Sequence, residues 1–508
     1  MPNSQSLSDY YRQHVPDAAL VSKGQAPWVL FRTYECDLTR RIDQACDPSA
    51  EFLLDSAWAT MEMKVGMIPP RNHAKVAAAM LELWNDRPAG KYYGHKGMQG
   101  YVTEKHGIDV GGDMMIGRTN PSQRQQMAVR RKLLKMLALM HNFQQVLLET
   151  AQANIDTVMP GYTHIRHAQP TTFGHYLMSV HDPIERAMQT LEDGYHAMSL
   201  NELGCGALAG TSWPIDRELV SRYLGLEGLI ENTNDAVSYT DGYVLLATGV
   251  ANIMAVMTRF AQELEYWSGL EYDFLDFEIG AGSFMMPNKR SNQSILERTA
   301  EGASRALGAL TEVTSMGMKV PHGDVQPMAY CMAEGTLRTL EQLDRFIEPY
   351  LYVLPTMIVH KERMLTMARE GYSCSTELAN QLVRTQALDY RTAHEVVHRF
   401  VVASAKQSIP SREADLAVFQ EAAEAVTGKQ LEVDQPTLRN WLDPVHFVSV
   451  TNSRGGVAPD EVARMITDQT ARLEEARERL LKRLKRIETG REQMLTDLRA
   501  LAQIANNQ

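Results

Sequence analysis

Long helical periodicity constrains this chain more than any other feature. From Gln123 to Asn154 the residues Leu133, Met136, Leu137, Met140 and Leu147 recur at steps of three and four, marking one apolar helix face. Asn120-Pro121 offers a start, with Asn as cap and Pro at the first helical position. A second segment, Asp241 to Trp267, is apolar on more than one side (Val244, Leu245, Leu246, Val250, Ile253, Met254, Met257, Phe260) and predicts a helix with neighbours all round. A third runs from Ser294 to about Met318 and a fourth from about Gly335 to Leu354. Rods of this length do not suit a small globular domain. They suit an elongated bundle whose packing can continue into an oligomer. Strand patterns are few and short. From Asp468 to Leu501 heptad-like apolar positions between charges predict a terminal amphipathic helix, with a partner-binding coiled coil as the other possibility.

The remaining features narrow the class. At 508 residues the chain exceeds what one hydrophobic core organises, so two or three domains are expected. The 28 Met residues read as adaptable filler between helices. A net charge of −11 argues against nucleic acid as a partner, and the one dense basic run, Arg477 to Arg491, is interleaved with Glu as on a solvated helix face. The five Cys stand singly, which speaks against a zinc site or a disulfide framework and for a reducing compartment. The first twenty residues are polar, and no stretch has the ~18 uninterrupted apolar residues of a membrane span. A cytoplasmic protein without a membrane partner is expected.

Three polar, Gly-rich breaks interrupt the helices, and such breaks between rigid elements are where chemistry concentrates. The first, Gly117-Arg118-Thr119-Asn120-Pro121-Ser122, sets a guanidinium, a hydroxyl and an amide ahead of a helix, where free N–H groups bind anions; plain capping explains the Asn-Pro step equally well. The second, Gly161 to Pro170, holds Thr163, His164 and His167. An imidazole suits proton transfer near neutrality. Metal binding by the two His would need a third ligand, and none stands at a recognisable spacing. The third, Gly280 to Lys289, contains Ser283 in a loop that two Gly could make mobile. That Ser could act as a base only if its alkoxide were strongly stabilised, for which Lys289 and loop N–H groups are at hand; an ordinary connecting loop is the alternative.

Gly282-Ser283-x-x-Met286-Pro287-x-Lys289 resembles the G-S-S-x-M-P-x-K-x-N signature of the fumarase/aspartase superfamily. Gly161-Tyr162-Thr163-His164 with Ala168-Gln169-Pro170 is similar to the G-Y-T-H-L-Q-x-A-Q-P of argininosuccinate lyases. So are Gly206-Ala207-Leu208-Ala209-Gly210, Asp216-Arg217-Glu218-Leu219, Leu442-Asp443-Pro444 and Gly455-Gly456-Val457-Ala458-Pro459 to that family's G-A-I-A-G, D-R-E-L, L-D-P and G-G-T-A-P. The resemblance runs from about Gly107 to Met465. It implies an all-α, three-domain fold with a long central helical bundle (here 1–122, 123–370 and 371–508), a homotetramer whose sites are shared between subunits, a small dicarboxylate substrate and no cofactor or metal. It implies anti-β-elimination of an N-substituted aspartate to fumarate and an amine. Ser283 would be the base, with Lys289 and Asn292 stabilising the aci-carboxylate. His164 would pass the proton to the leaving nitrogen, oriented by Glu297. Arg118, Thr119, Asn120, Thr163 and Met286 would complete the substrate contacts.

The sequence departs from the pattern in four places. Phe284 replaces the second Ser of the signature. One inserted residue after Lys289 brings Asn292 and Glu297 to their family places. The second Arg of the family's G-R-S-R-N-D-Q is missing. Downstream, Asp324, Ala329 and Met332 stand where the family has a substrate-holding Tyr, Gln and Lys, which points to a leaving amine other than arginine. The retained Ser and His favour an active lyase over a crystallin-like structural descendant. Argininosuccinate itself and a nitrosuccinate-type compound are the other substrates considered.

Overall fold

The computed structural model describes residues 6–13, 37–47, 50–86, 97–119, 122–278, 280, 285–286, 293–318, 321–323 and 326–503. The elements that position the site are, in chain order, α1 (Ala50–Lys64), α2 (Gln123–Ala153), β1 (Val158–Thr163), β2 (Arg166–Thr172), α3 (Phe173–Ala197), α4 (Arg217–Tyr223), α5 (Asp241–Ser268), β3 (Leu275–Phe277), α6 (Ser294–Gly317), α7 (Gln326–Ile347) and β4 (Met357–Val359). Six helices follow between Lys361 and Val450, then α8 (Pro459–Gln503).

The long helices close into a five-membered bundle. α2 packs on α3, α3 on α5, α5 on α6, α6 on α7, and α7 returns to α2. Its core is built from the residues whose spacing predicts it: Leu133, Met136, Leu137, Met140 and Leu147 of α2 are buried against Leu246, Val250, Ile253, Met254 and Met257 of α5 and their neighbours. α5 is long and apolar enough to cross a membrane by composition, yet here it is a bundle helix contacting α3, α6 and α7. Val244 and Leu245 are only half-buried, so it is not covered on every side.

Three element boundaries differ from expectation. α7 begins at Gln326 rather than near Gly335 and ends at Ile347, because Pro349 interrupts it before a separate turn at Tyr350–Val353. The terminal helix begins at Pro459 rather than Asp468, with Asp460 and Glu461 in its first turn where the helix dipole favours acids. The proposed Asn120-Pro121 start lies outside the described residues; α2 begins at Gln123 with Ser122 in the cap position.

The chain is mostly helical, but three two-stranded pairs accompany the helices: β1 with β2 and β3 with β4, both antiparallel, and the parallel bridge of Leu200–Asn201 with Gly228–Leu229. The helices from 372 to 450 enclose a second core around Leu378, Phe400, Phe419 and Leu438. α8 does not join that core. It runs back along α2, α4 and α1, burying Leu473, Leu480 and Leu484 in the bundle and Leu498 with Phe52 and Met63.

Gly490 permits that return. A Cβ there would stand 2.1 Å from the Arg222 carbonyl oxygen and 2.9 Å from that of Tyr223, closer than any side chain tolerates. Gly490→Ala is expected to destabilise the protein by ~1–3 kcal/mol, although alanine is the better helix former. Denaturant unfolding checks this; unchanged stability would mean that α8 is not clamped to α4.

Candidate active site

The first motif is positioned from α1. Glu62, buried on that helix, accepts the backbone N–H groups of Met115 (3.0 Å) and Ile116 (2.6 Å) and the Trp58 indole N–H (3.2 Å). Gly117 follows in the left-handed region (φ 70°), where Thr211 comes within 3.2 Å of where a Cβ would stand. The loop 206–211 thus packs on the motif. Arg118 donates through Nη2 to Asp55 of α1 at 2.5 Å, and its Nη1 has no hydrogen-bond partner. Thr119 is exposed. Asn120 lies outside the described residues. Ser122 turns its hydroxyl to Glu202 (2.6 Å) instead of capping α2.

Burial pushes the Glu62 carboxyl up to about 8, against the N–H donors of Met115 and Ile116 and the Arg118 cation. Burial also raises Asp55, opposed by Arg118.

One turn into α2, Arg124 donates to the Tyr330 hydroxyl, lies over the Tyr330 ring (5.5 Å to its centroid) and pairs with Glu51 at 3.2 Å. The first turns of α2 and α7 therefore meet beside the first motif. Of the downstream positions, Asp324 lies outside the described residues. Ala329 and Met332, three apart on α7, face inward and are buried.

The second motif is a β-hairpin and not only a polar break between helices. Thr163 pairs with Arg166, so His164 and Ile165 form a two-residue turn, and both have positive φ (54° and 59°). Such turns demand left-handed residues at both central positions and favour Asn and Gly there. His164 and Ile165 each cost about 1–3 kcal/mol in that conformation. The turn holds because its base is fixed. Tyr162 meets the His167 ring at 5.3 Å and the Tyr272 ring at 5.8 Å. Gly161 sits at a bulge where a Cβ would be 2.4 Å from the Gln169 carbonyl. Thr163, His164 and Arg166 are exposed at the tip, and Ile165 is 80% exposed. Strand propensity of Val158, Tyr162, Thr163, Thr171 and Thr172 was the available signal.

The third motif is bracketed by rigid elements. β3 pairs with β4 ahead of it, and α6 begins at Ser294 after it. Met285 and Met286 are exposed, as is Glu297 in the first turn of α6. Glu297 lies near Glu265 of α5, whose carboxyl is raised by burial first and then by that neighbouring charge. Ser283, Lys289 and Asn292 lie outside the described residues.

One dimension organises these places. α2 has 31 residues, and at 1.5 Å per residue it spans roughly 46 Å. The first motif sits at its start and the hairpin follows its end. The hairpin and the third motif share that far end, as the Tyr162–Tyr272 contact beyond α5 indicates. Arg118 and His164 of one chain therefore stand a bundle length apart.

Other motif residues have structural work. Arg217 donates to the carbonyls of Leu203, Asn201 and Ile230 at 2.8–3.1 Å, closing the loop over the first motif. Asp216 caps α4, accepting from Leu219 N–H. Asp443 caps the helix Pro444–Val450 and pairs with Arg369 at 3.1 Å. At Gly455 (φ 81°) the carbonyl meets His175 Nε2 at 3.1 Å, tying the turn before α8 to the start of α3.

A closed bundle of long helices with polar motifs at both ends is the architecture of the fumarase/aspartase superfamily of lyases. A class II fumarase from Schistosoma mansoni shares the fold at 12% identity, with TM-score 0.62 over 82% of this chain and 93% of the fumarase. An EDDS lyase variant with bound fumarate superposes with TM-score 0.78 at 25% identity, over 94% of this chain and 95% of that one. Residues 123–308 match the Lyase family model, and 372–449 match that of the argininosuccinate lyase C-terminal region. Argininosuccinate lyase 1 of Shouchella clausii (strain KSM-K16) is 30% identical over 375 residues, 73% of this chain and 75% of the relative. The chain belongs to the argininosuccinate lyase family, and it is a carbon–nitrogen lyase that releases fumarate.

Titration of Glu62 gives a check on the first motif. Its folded pKa lies above the unfolded value of about 4.5, so between the two the native state binds the extra proton. Its contribution is then complete below about pH 4.5 and is lost as pH rises through about 8. The stability of the wild type relative to Glu62→Gln is expected to fall across that window in denaturant titrations. A pH-independent difference would place Glu62 in solvent contact.

Proposed function

We propose that this lyase acts on an N-substituted aspartate by stepwise anti-β-elimination, as a homotetramer whose sites each draw on several subunits. The observation that carries the shared site is the bundle length between the first motif and the hairpin. Half-buried Val244 and Leu245 on α5 and exposed Leu307 on α6 support further helix packing between copies. Cys46, Cys205, Cys331 and Cys374, which form no disulfide among the described residues, support a cytoplasmic setting. The working units are 1–122, 123–370 and 371–508.

In this reading Ser283 as alkoxide removes the proton beside one carboxylate. Charge moves into an aci-carboxylate, which Lys289, Asn292 and loop N–H groups stabilise. The C–N bond then breaks, the electron pair leaving on nitrogen, and His164, oriented by Glu297, delivers the proton. Thr163, Arg118, Thr119 and Asn120 hold carboxylates, with Met286 in the loop that closes over them. Exposure of Thr163 and His164 at a rigid tip supports their reaching into another subunit's site. Ser283→Ala should keep its fold and lose most of kcat and kcat/KM together. Mixing it with His164→Ala by unfolding and reassembly should restore part of the activity, because hybrid tetramers would regain some intact sites. Near wild-type kcat in Ser283→Ala, or no recovery on mixing two inactive variants, would overturn the respective assignment.

The leaving amine is not arginine. Ala329 and Met332 offer no polar partner, and an unpaired carboxylate buried against them would cost several kcal/mol. Arg124 and Tyr330, which meet between the first turns of α2 and α7, are the groups that would read the amine instead. The alternative, argininosuccinate, is favoured by the names of the curated relatives. Fumarate release measured over a panel of N-substituted aspartates decides. Argininosuccinate should fall below about 10⁴ M⁻¹s⁻¹ in kcat/KM and another member of the panel should exceed it; argininosuccinate as the best substrate would reverse the reading.

A further inference from the structure

The start of α2 is docked on a buried polar cluster centred on Glu202, which is 2% exposed. Its Oε2 accepts the Ser122 hydroxyl at 2.6 Å and the Gln126 amide at 3.1 Å. Its backbone N–H donates to Gln123 Oε1 at 2.8 Å, and Gln123 Nε2 donates to Gln126 Oε1 at 2.9 Å. Gln123 and Gln126 are themselves buried. The segment that carries Glu202 is rigid. Leu200 and Asn201 bridge to Gly228 and Leu229, and Arg217 holds the carbonyls on both sides of Glu202, those of Asn201 and Leu203. The loop 206–211, whose Thr211 packs on Gly117, begins four residues further on.

Stability alone does not account for this cluster. An apolar side chain at position 202 would bury without the desolvation that a carboxyl group carries. Ser122 stands in the cap position with helical dihedrals (φ −71°, ψ −12°), and its hydroxyl goes to Glu202 and not to the free N–H groups of α2. A Ser cap there would contribute about 1 kcal/mol. What the cluster supplies is direction. Apolar contacts tolerate small slides and rotations of a helix, whereas a satisfied buried polar network specifies one position. Ser122 comes three residues after Thr119 and four after Arg118. The other side of that stretch is pinned by Glu62 and Asp55.

We propose that Glu202 is a positioning residue for the lyase reaction: by holding Ser122 and Gln126 it sets the register of α2 in which Arg118 and Thr119 meet a substrate carboxylate. This role rests on the assignment of that carboxylate to the first motif. Glu202 itself touches no substrate. A displaced carboxylate-binding group weakens substrate and transition state by the same factor, so the loss falls on affinity and not on the chemical step.

The test measures fumarate affinity of the purified full-length protein by calorimetric titration, with Tm alongside. Glu202→Met, which keeps the length of the side chain without its acceptor, should weaken fumarate binding at least about tenfold, and Ser122→Ala at least about fivefold. Because both remove one shared hydrogen bond, the double variant should fall within about twofold of Glu202→Met alone. Turnover of the best N-substituted aspartate should show the loss in KM, with kcat within about threefold of wild type. Thr119→Val is the reference. Unchanged fumarate affinity in Thr119→Val would refute the first motif as a carboxylate holder, and the role of Glu202 with it. Weakened binding in Thr119→Val beside wild-type binding in Glu202→Met and Ser122→Ala would overturn the role of Glu202 alone. So would multiplicative losses in the double variant, or a loss confined to Tm. Should Glu202→Met fail to fold, Ser122→Ala decides by itself, since it removes the same hydrogen bond from its half-buried end.

Discussion

The closure of five long helices into one bundle is the constraint on which the rest depends. Apolar side chains at helical spacing on α2, α3, α5, α6 and α7 lock the rods side by side, and rods cannot bend to bring their ends together. Chemistry is therefore confined to the connections, and the connections are sorted to two ends. α2 starts beside the first motif and ends beside the hairpin; α6 starts after the third motif and ends near the start of α7. Rigidity gives precise placement of each fragment and holds the fragments at the two ends apart.

At each end a different interaction fixes the exposed fragment. The first motif hangs from two buried carboxylates of α1, Glu62 on its backbone and Asp55 on its guanidinium. The hairpin tip is held in an unfavourable conformation by its base, where aromatic edges and a glycine bulge leave no alternative register. Strain of this kind persists only where its surroundings over-determine it, and here it lifts Thr163 and His164 clear of the fold.

Much of this was legible in the sequence, for reasons that particular residues make plain. α5 was expected from Asp241 to Trp267 and runs to Ser268; α6 was expected from Ser294 to Met318 and ends at Gly317. Their apolar periodicity is long and their ends are marked by polar loops. α7 was misplaced because Gln326-Pro327 opens it before its apolar repeat becomes regular, and Pro349 cuts it short. The hairpin was missed because Gly161, Pro160 and Pro170 read as breaks, while the bulge that makes them part of two strands is a property of the pairing. The roles of Glu62 and Asp55 were invisible: single acids on one helix acquire meaning only from the loop, some fifty residues later, that folds onto them. In the same way Arg124 and Tyr330 are far apart in sequence and meet only because α2 and α7 are neighbours in the ring.

The path of α8 has a consequence for biosynthesis. Leu498 and Leu501 pack into the same core as Phe52, Met63 and Met80. The ribosome releases those two leucines long after the residues they cover. Throughout translation the amino-terminal helices must therefore wait with an open apolar seam, exposed to chaperones and to other nascent chains. A nonsense codon in the last stretch of α8 would remove little mass and no motif, yet it would leave that seam permanently uncovered and mark the product for degradation.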